Sequence, residues 1–521
     1  MTARMYAQMT PSHAVNLRST LALVVSTKAP TLLEFDTNDS QALRSTRLVS
    51  MKHTIVLSDL HLWEAAPGDG LWMRYRQRRY FPDERIASLL DRLTMGSAPG
   101  SIEVVFNGDV FDFDIARPDG CEDPPRDLRS AVERMHSILD DHEGFLDAVA
   151  AVLSRGQRVV FISGNHDLPL VLEPVRAALR ARIERALRRA GADPAAVARR
   201  MGQLVIKGWF HKTHDGILIE HGQQYDSYTS VPHPLWPVSS KRPELQQTFG
   251  SLTMRHLIGR LGYFNPNVDE SFLLSLGGYF THWLRYYAFT RRSLALRWVF
   301  GTLLVAASLL RDTERKHSAR DVVSLVRAAQ ETGCDARTLV AHSDLEQPAA
   351  VERAFRLLCL DRFAHGLATL LSLSLFWLDR SAGVIALAAT VALAVLFRFV
   401  VPEAELAENY RSVRRAQRAI AKVHDARAVV FGHTHIPEGE WAGGVFFGNC
   451  GSWAPMYLDI ACAHPVQTAQ PFVWLRSEGS HFEGGLYRFD GVTITPASAE
   501  RPTVTIRKRH GRVRAARRVA A

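Results

Sequence analysis

Cysteine is scarce, with five residues in 521 (Cys121, Cys334, Cys359, Cys450, Cys462) and no Cys-x-x-Cys pair. A disulfide framework is therefore excluded, and so sparse and odd a set reads as free thiols in a reducing compartment. A secretory signal is also lacking: the apolar run Leu21–Ser26 is short, and no small-residue cleavage site follows it. The third absence is a basic track. Of the formal charge of +10, eight surplus Lys/Arg lie in residues 501–521 without a single acid, which leaves the rest close to neutral. Phosphate-backbone binding needs basic residues on the folded body, so nucleic acid is not an expected partner. The tail also has no aromatic residue on which a base could stack. What is present is ordinary for a folded protein, 47% hydrophobic and 22% charged, which excludes a mainly disordered chain.

Three short apolar runs each end in a polar cluster: Thr54–Leu57 before Ser-Asp-Leu-His, Ile102–Phe106 before Asn-Gly-Asp, and Val159–Ile162 before Ser-Gly-Asn-His-Asp. Two more follow the pattern, Ile217–Ile219 before Glu-His-Gly and Ala428–Phe431 before Gly-His-Thr-His. β-Branched and aromatic runs bounded by Gly or Asp predict buried strands. Helices are expected between them over Glu84–Leu93, Leu128–Ser154 and Glu173–Arg200, and closing strands over Gly444–Phe447, Phe472–Leu475 and Gly485–Phe489. The class is α/β, and open α/β sheets place ligands at the ends of their strands.

The strand ends carry Asp59, His61, Asp109, Asp112, Asn165, His166, His221, His433 and His435. A single Asp-x-His or His-x-His is common by chance; five such clusters in order, each at a strand end, are not. Mixed imidazole and carboxylate donors suit Mn, Fe or Zn more than Mg, with Mn favoured. Asp59 and His61, two apart on a turn taken as extended, are expected to face one side. An aspartate bridging two metals would let one shared, metal-activated water attack while both ions stabilise phosphoryl charge. A His–Asp pair beside such a site is a general acid with its tautomer set.

The order DLH (59–61), GDVFD (108–112), GNHD (164–167), EHG (220–222) and GHTH (432–435) resembles the calcineurin-like metallophosphoesterase family. The resemblance covers about 51–222 and 426–490. It implies a four-layer α/β/β/α sandwich and two divalent metal ions. Asp59, His61, Asp109 and His435 resemble the ligands of the first metal; Asp109 (bridging), Asn165, His221 and His433 resemble those of the second. His166 matches the family's general acid and Asp112 the carboxylate that orients it. Asp167 is expected to shape the turn, and Cys450 to pack. SDLHLW with GDVFDF resembles the branch containing UDP-2,3-diacylglucosamine hydrolases, which cleave a lipid-linked pyrophosphate, although those enzymes usually have Arg where this chain has His166.

The expected organisation is a disordered leader over 1–50 (or a true start at Met51), a catalytic domain in two segments (51–222 and 426–490), a helical insertion over 223–425, and a basic disordered tail over 491–521. Within the insertion, 363–378 and 381–397 are almost free of charge and are separated by Asp379-Arg380. A spanning helix needs about 20 apolar residues, so 298–310 is short, whereas 381–401 is long enough if Arg398 snorkels. His221 and His433 must meet at one site, so the chain between them crosses any membrane an even number of times, which a hairpin over 363–401 satisfies. Basic residues flank its outer ends (Arg353, Arg356, Arg362; Arg411, Arg414, Arg415), which puts the catalytic domain on the cytoplasmic side of a membrane. The alternative is a buried hairpin in a soluble cytoplasmic cap. The tail could add attraction to anionic lipid, about 1 kcal/mol per Arg near the surface. The leading expectation is a metal-dependent phosphoesterase acting on a phosphorylated small-molecule or lipid-linked substrate. A nuclease of the same class, and a non-catalytic scaffold like the related retromer subunit, are the alternatives.

Overall fold

The computed structural model describes residues 52–68, 70–117, 127–231, 246–268, 276–290, 292, 294–312, 322–347, 360–400, 406–479 and 481–497. The 1–50 leader and the tail beyond 497 lie outside them.

The buried runs form strands where expected: β1 (Lys52–Leu57), β2 (Ile102–Asn107), β3 (Arg158–Ile162), β6 (Ile217–Glu220) and β7 (Ala428–Phe431), with β4 (Leu204–Lys207) and β5 (Phe210–Lys212) between β3 and β6. The closing strands are β8 (Glu438–Ala442), β9 (Val445–Asn449), β10 (Gln470–Glu478), β11 (His481–Phe489) and β12 (Ile494–Pro496). Since β12 pairs with β11, the folded segment runs past 490, the boundary read from sequence. Two sheets result, one of seven strands in the order β12-β11-β10-β1-β2-β3-β4 and one of five in the order β5-β6-β7-β9-β8.

Alternation along the strands divides the core. Ile55 and Leu57 of β1, Val104 and Phe106 of β2, and Val159 and Phe161 of β3 join a cluster with helices α1 (Asp83–Thr94), α2 (Leu128–Asp141), α3 (Glu143–Ser154) and α4 (Glu173–Arg189). Their neighbours Val56, Val105, Val160 and Ile162 point the other way, into a cluster shared with Ile217, Ile219, Ala428 and Val430 of the second sheet. Leu218, Val429 and Phe431 occupy the second sheet's remaining face. Strands covered on both faces have no polar side to show, which is why they read as continuous apolar runs.

Two expected helices are each divided. His142 breaks Leu128–Ser154 at φ −123°, ψ 42°, and its ring accounts for the break: Nδ1 reaches Asp83 at 2.9 Å and Nε2 reaches the Trp63 carbonyl at 2.9 Å. Glu173–Arg200 is divided by left-handed Gly191, after which Asp193 caps a fresh helix, α5 (Pro194–Met201), opened by Pro194.

The insertion leaves after β6 and returns to β7, its parallel neighbour. It contains α6 (Phe249–His256), α7 (Leu276–Tyr286), α8 (Leu294–Asp312), α9 (Val322–Thr332), α10 (Ala336–Ser343), α11 (Leu360–Leu378), α12 (Arg380–Val400) and α13 (Leu406–His424). It is not a detached cap, because Ala328 of α9, Leu339 of α10 and Val413, Ala416 and Ile420 of α13 share the second sheet's cluster. The α11–α12 hairpin is different. Trp377 and Leu378 are 88% and 86% exposed, and Leu370, Ile385 and Leu393 are also exposed. Among the described residues, Arg380–Phe397 is the one stretch long and apolar enough to cross a membrane; Ala364–Leu378 and Leu296–Leu309 are shorter.

Candidate metal centre

The polar loops leave the carboxyl ends of β1, β2, β3, β6 and β7 and meet. Their backbone is strained in one characteristic way. Eight non-glycine residues have left-handed φ among the described residues, and five of them are Asp59 (55°), His61 (47°), Asp109 (51°), His433 (66°) and His435 (56°). The turn at 59–61 is thus left-handed and not extended, which corrects the sequence reading while still gathering both side chains. Such conformations persist only where the surroundings over-determine them. Here the surroundings are a lattice of backbone bonds: Asp59 N–H to the Gly108 carbonyl (3.1 Å), His61 N–H to the Asp109 carbonyl (2.9 Å), and Gly432 N–H to the His221 carbonyl (3.0 Å). Glycine is required at two junctions. A Cβ on left-handed Gly108 would enter the His221 ring, and one on Gly432 would strike Ser58 and Asp59.

Two groups of side chains able to hold a cation form there: Asp59, His61 and His435, and Asp109, His221 and His433. In the first, His435 Nε2 is 3.2 Å from Asp59 Oδ1 and 3.2 Å from His61 Nε2. In the second, His221 Nε2 is 3.1 Å from Asp109 Oδ2. The groups adjoin, since Asp109 Oδ2 is also 4.0 Å from His61 Nε2, and Asp59 Oδ1 is 4.0 Å from His221 Nε2. Asn165 lies on the loop between Gly164 and His166, and His166 N–H donates to Asp109 Oδ1 at 2.7 Å.

The donor chemistry suits divalent cations. Buried polar atoms are nearly always hydrogen-bonded, yet Asp59 Oδ1, Asn165 Oδ1 and His221 Nε2 are buried with no such bond. The short His221–Asp109 approach is out of line for one. His221 Nδ1 faces the Asn107 carbonyl at 2.9 Å, so it carries the proton and Nε2 is left as an electron-pair donor. Burial opposes charge on His221, but Asp109 and Asp59 outweigh it and push the imidazole up to about 9, so Nε2 attracts a proton or, in its place, a cation. Burial likewise works against an ionised Asp109, which His221 and His166 hold well below the usual carboxylate range. The pocket therefore concentrates anionic oxygens, the condition that draws in a cation.

A third group joins His61, Asp112 and His166. Asp112 Oδ1 is 3.3 Å from His166 Nδ1, and Oδ2 is 3.4 Å from His61 Nδ1. One buried carboxylate thus orients two imidazoles, and its Oδ1 also accepts the Asp114 and Ile115 N–H groups at 3.0 Å. Its hold on His61 is not apparent from the motif. Burial disfavours charge on His166, but Asp112, Asp109 and Asp114 together keep it well above its ordinary value. Asp167 accepts N–H groups from Val110 (2.8 Å) and Gly164 (2.6 Å), the behaviour of a turn-shaping residue. Cys450 is fully buried, and burial with nearby Asp59 raises its thiol well above its ordinary value, so it is no nucleophile.

Two residues outside the motifs, Asp114 and Asp226, and one within them, Glu220, border the site. Asp114 Oδ2 is 3.8 Å from His166 Nδ1, and burial pushes its carboxyl up to about 6 against the pull of His166 and Arg255. Glu220, beside His221, is buried among Trp209, Tyr225 and His342. Asp226 lies 3.1 Å from His433 Nε2. Asp226 and His342 belong to the insertion, so periodicity gave no reason to connect them with the strand ends.

This fold and this site define a class: a mixed α/β protein with two sheets whose strand-end loops form a histidine–carboxylate centre able to hold metal. Residues 52–289 match the family model of the calcineurin-like phosphoesterases, which are metal-dependent phosphoester hydrolases, and the match supports the metallophosphoesterase family. That region carries Asp59 through His221 and ends before His433 and His435, which the structure brings to the same place. No curated protein matches the chain. Among solved structures, a Vps29 single mutant from Entamoeba histolytica is similar at 22% identity and a TM-score of 0.13, over 19% of this chain and 50% of that one. The chain thus spans half the length of that relative.

Proposed function

We propose that this chain is a two-metal phosphoesterase, built on a four-layer α/β/β/α sandwich and anchored to a membrane by its α11–α12 hairpin. The observation that carries the catalytic reading is the pair of adjoining groups, Asp59/His61/His435 and Asp109/His221/His433, with Asp59 Oδ1 and His221 Nε2 among them and Asn165 Oδ1 on the neighbouring loop buried without a hydrogen bond. The cluster shared by the two sheets, with helices packed on each outer face, supports the sandwich.

Asp59, His61, Asp109 and His435 would hold one cation, and Asp109, Asn165, His221 and His433 the other, with Mn the favoured metal. A cation pair there would supply Lewis acidity to a phosphoryl oxygen and lower the pKa of a water. The residues do the rest. Asp112 takes the His166 Nδ1–H and leaves Nε2 to protonate the departing oxygen. The carboxylates around His166 keep it charged, as a general acid must be. His61 is aimed by the same Asp112, so acid and cation site share one orienting group.

The substrate class we favour is lipid-linked phosphate or pyrophosphate, as in the UDP-2,3-diacylglucosamine hydrolase branch. The exposed hairpin supports it, because so many large apolar side chains facing outward need a non-aqueous surround. Its basic outer flanks support a catalytic domain on the cytoplasmic side. Full-length protein loaded with Mn(II) should be screened against phosphomonoesters, phosphodiesters and lipid pyrophosphates. Hydrolysis confined to water-soluble diesters would overturn the lipid reading, and no metal-dependent hydrolysis of any class would overturn the phosphoesterase itself.

A further inference from the structure

The insertion reaches the metal centre chiefly through one carboxylate. Asp226 follows β6 by six residues, inside the segment that the five motifs leave out. Its Oδ2 is 3.1 Å from His433 Nε2. Its Oδ1 accepts from the Tyr228 N–H at 2.9 Å and from Asn409 Nδ2 at 2.8 Å. Asn409 lies on α13 and is itself buried. Both carboxylate oxygens are therefore committed, one to the imidazole and the other to donors that fix the carboxylate in place.

The proton on His433 can be assigned from its neighbours. Nε2 faces Asp226 and, at 3.3 Å, Thr229 Oγ1. The Thr229 hydroxyl spends its hydrogen on the Gln223 carbonyl at 3.1 Å, so towards His433 it can only accept. Nε2 thus meets two acceptors and must be the protonated nitrogen. The electron pair is left on Nδ1. His221 is arranged in the opposite sense, with Nδ1 on the Asn107 carbonyl and Nε2 left over. Asp226 is not itself a member of the group Asp109, His221 and His433, whose ligand atoms lie within 4.8 Å of one another.

We infer that Asp226, braced by Asn409, is a positioning residue for the second cation, setting His433 in the tautomer that presents Nδ1. The inference rests on the two-cation reading above and adds to it that the insertion helps build the site. Carboxylates that receive the outer N–H of a metal-bound imidazole raise its basicity and fix its plane, and losing one typically costs about 10–100-fold in metal affinity.

The test is Mn(II) binding by the purified full-length protein, followed by metal content and by the electron paramagnetic resonance signal of a coupled Mn pair. Wild type should bind two ions. Asp226→Ala should weaken one binding step about 10–100-fold, leave the other unchanged and lose the coupled signal at limiting metal. Asp226→Asn, whose amide oxygen still accepts from Nε2, should lie between. In a His433→Ala background, Asp226→Ala should add nothing, which a merely structural residue would not obey. Two steps of wild-type affinity in Asp226→Ala would overturn the relay while leaving the two-cation site standing. Should Asp226→Ala fail to fold, wild-type affinity in Asp226→Asn overturns it equally. A wild-type protein that binds no Mn(II) sinks both readings at once.

Discussion

The strand-end loops and the α11–α12 hairpin invert the usual placement of residues in opposite directions. At the loops, Asp59, Asp109, Asp112 and His221 are at most 2% exposed, although charged groups are seldom buried without a partner. On the hairpin, Trp377 and Leu378 are almost fully exposed, although large apolar side chains usually cover one another. Each arrangement is costly for an isolated chain in water, and the proposed function offers each a relief from outside the chain. Divalent cations would compensate the first, and a lipid bilayer the second. The buried polar site and the bare apolar hairpin are thus what the proposed function rests on, and the ordinary core adds nothing to it.

That comparison can be broken from the polar side first. Asp109→Asn should lower hydrolysis of bis-p-nitrophenyl phosphate or the corresponding monoester at least about 10³-fold, since it removes charge at the junction of both cation groups. Bound metal should fall with it. Full metal content together with normal turnover would show that the buried carboxylates are not there for cations. His166→Ala should act differently, keeping metal while the rate drops about 10²–10⁴-fold. The deficit should shrink for p-nitrophenol, which leaves without a proton. Equal losses with nitrophenyl and alkyl leaving groups would remove His166 from the acid's role.

The apolar side is sharpened by replacing 363–401 with a short Gly/Ser linker. Wild type should sediment with membranes and resist high salt, which releases proteins held by charge alone. The linker variant should be soluble and still bind Mn(II), because Asp226 and Asn409 remain. Wild type found wholly soluble without detergent would return the hairpin to a protein-covered role. The smallest effect concerns the buried network behind the site, where His342 Nδ1 is 2.8 Å from His424 Nε2. Burial, with His342 and Lys212, pushes His424 down to about 3 from its ordinary 6.5. The folded state thus binds fewer protons than the unfolded one between those values, so stability is complete above about pH 6.5 and declines as pH falls towards 3. His424→Phe should flatten the fall in Tm between pH 7 and 5; an unchanged slope would mean that this network carries no linkage.

The strands that carry the motifs were legible because they are buried on both faces, which writes them as unbroken apolar runs. The divided helices were less so. His142 ends α2 through contacts with Asp83 and Trp63, neither of which is near it in sequence. Asp193-Pro194 was a readable start signal that the long helical pattern overrode. Cation ligands of the five motifs could be proposed because each motif sits at the end of an apolar strand, four of them beside a glycine, a local signal. Asp226 and Asp114 had no local signal. Each matters only through a neighbour that folding brings to it.

By itself, the sequence determined the α/β class, the five strands that carry the motifs, nine candidate site residues and the apolar hairpin, because composition and period are properties of adjacent residues. Only the tertiary structure decided that Asp59 and His61 turn through left-handed backbone, that Asp112 serves two imidazoles, and that α9, α10 and α13 belong to the core of the second sheet. It also brought Asp226 and Asn409, 183 residues apart, to one hydrogen bond behind His433. Contacts of that kind depend on which surfaces meet once the sheets have packed, and no run of neighbouring residues encodes them.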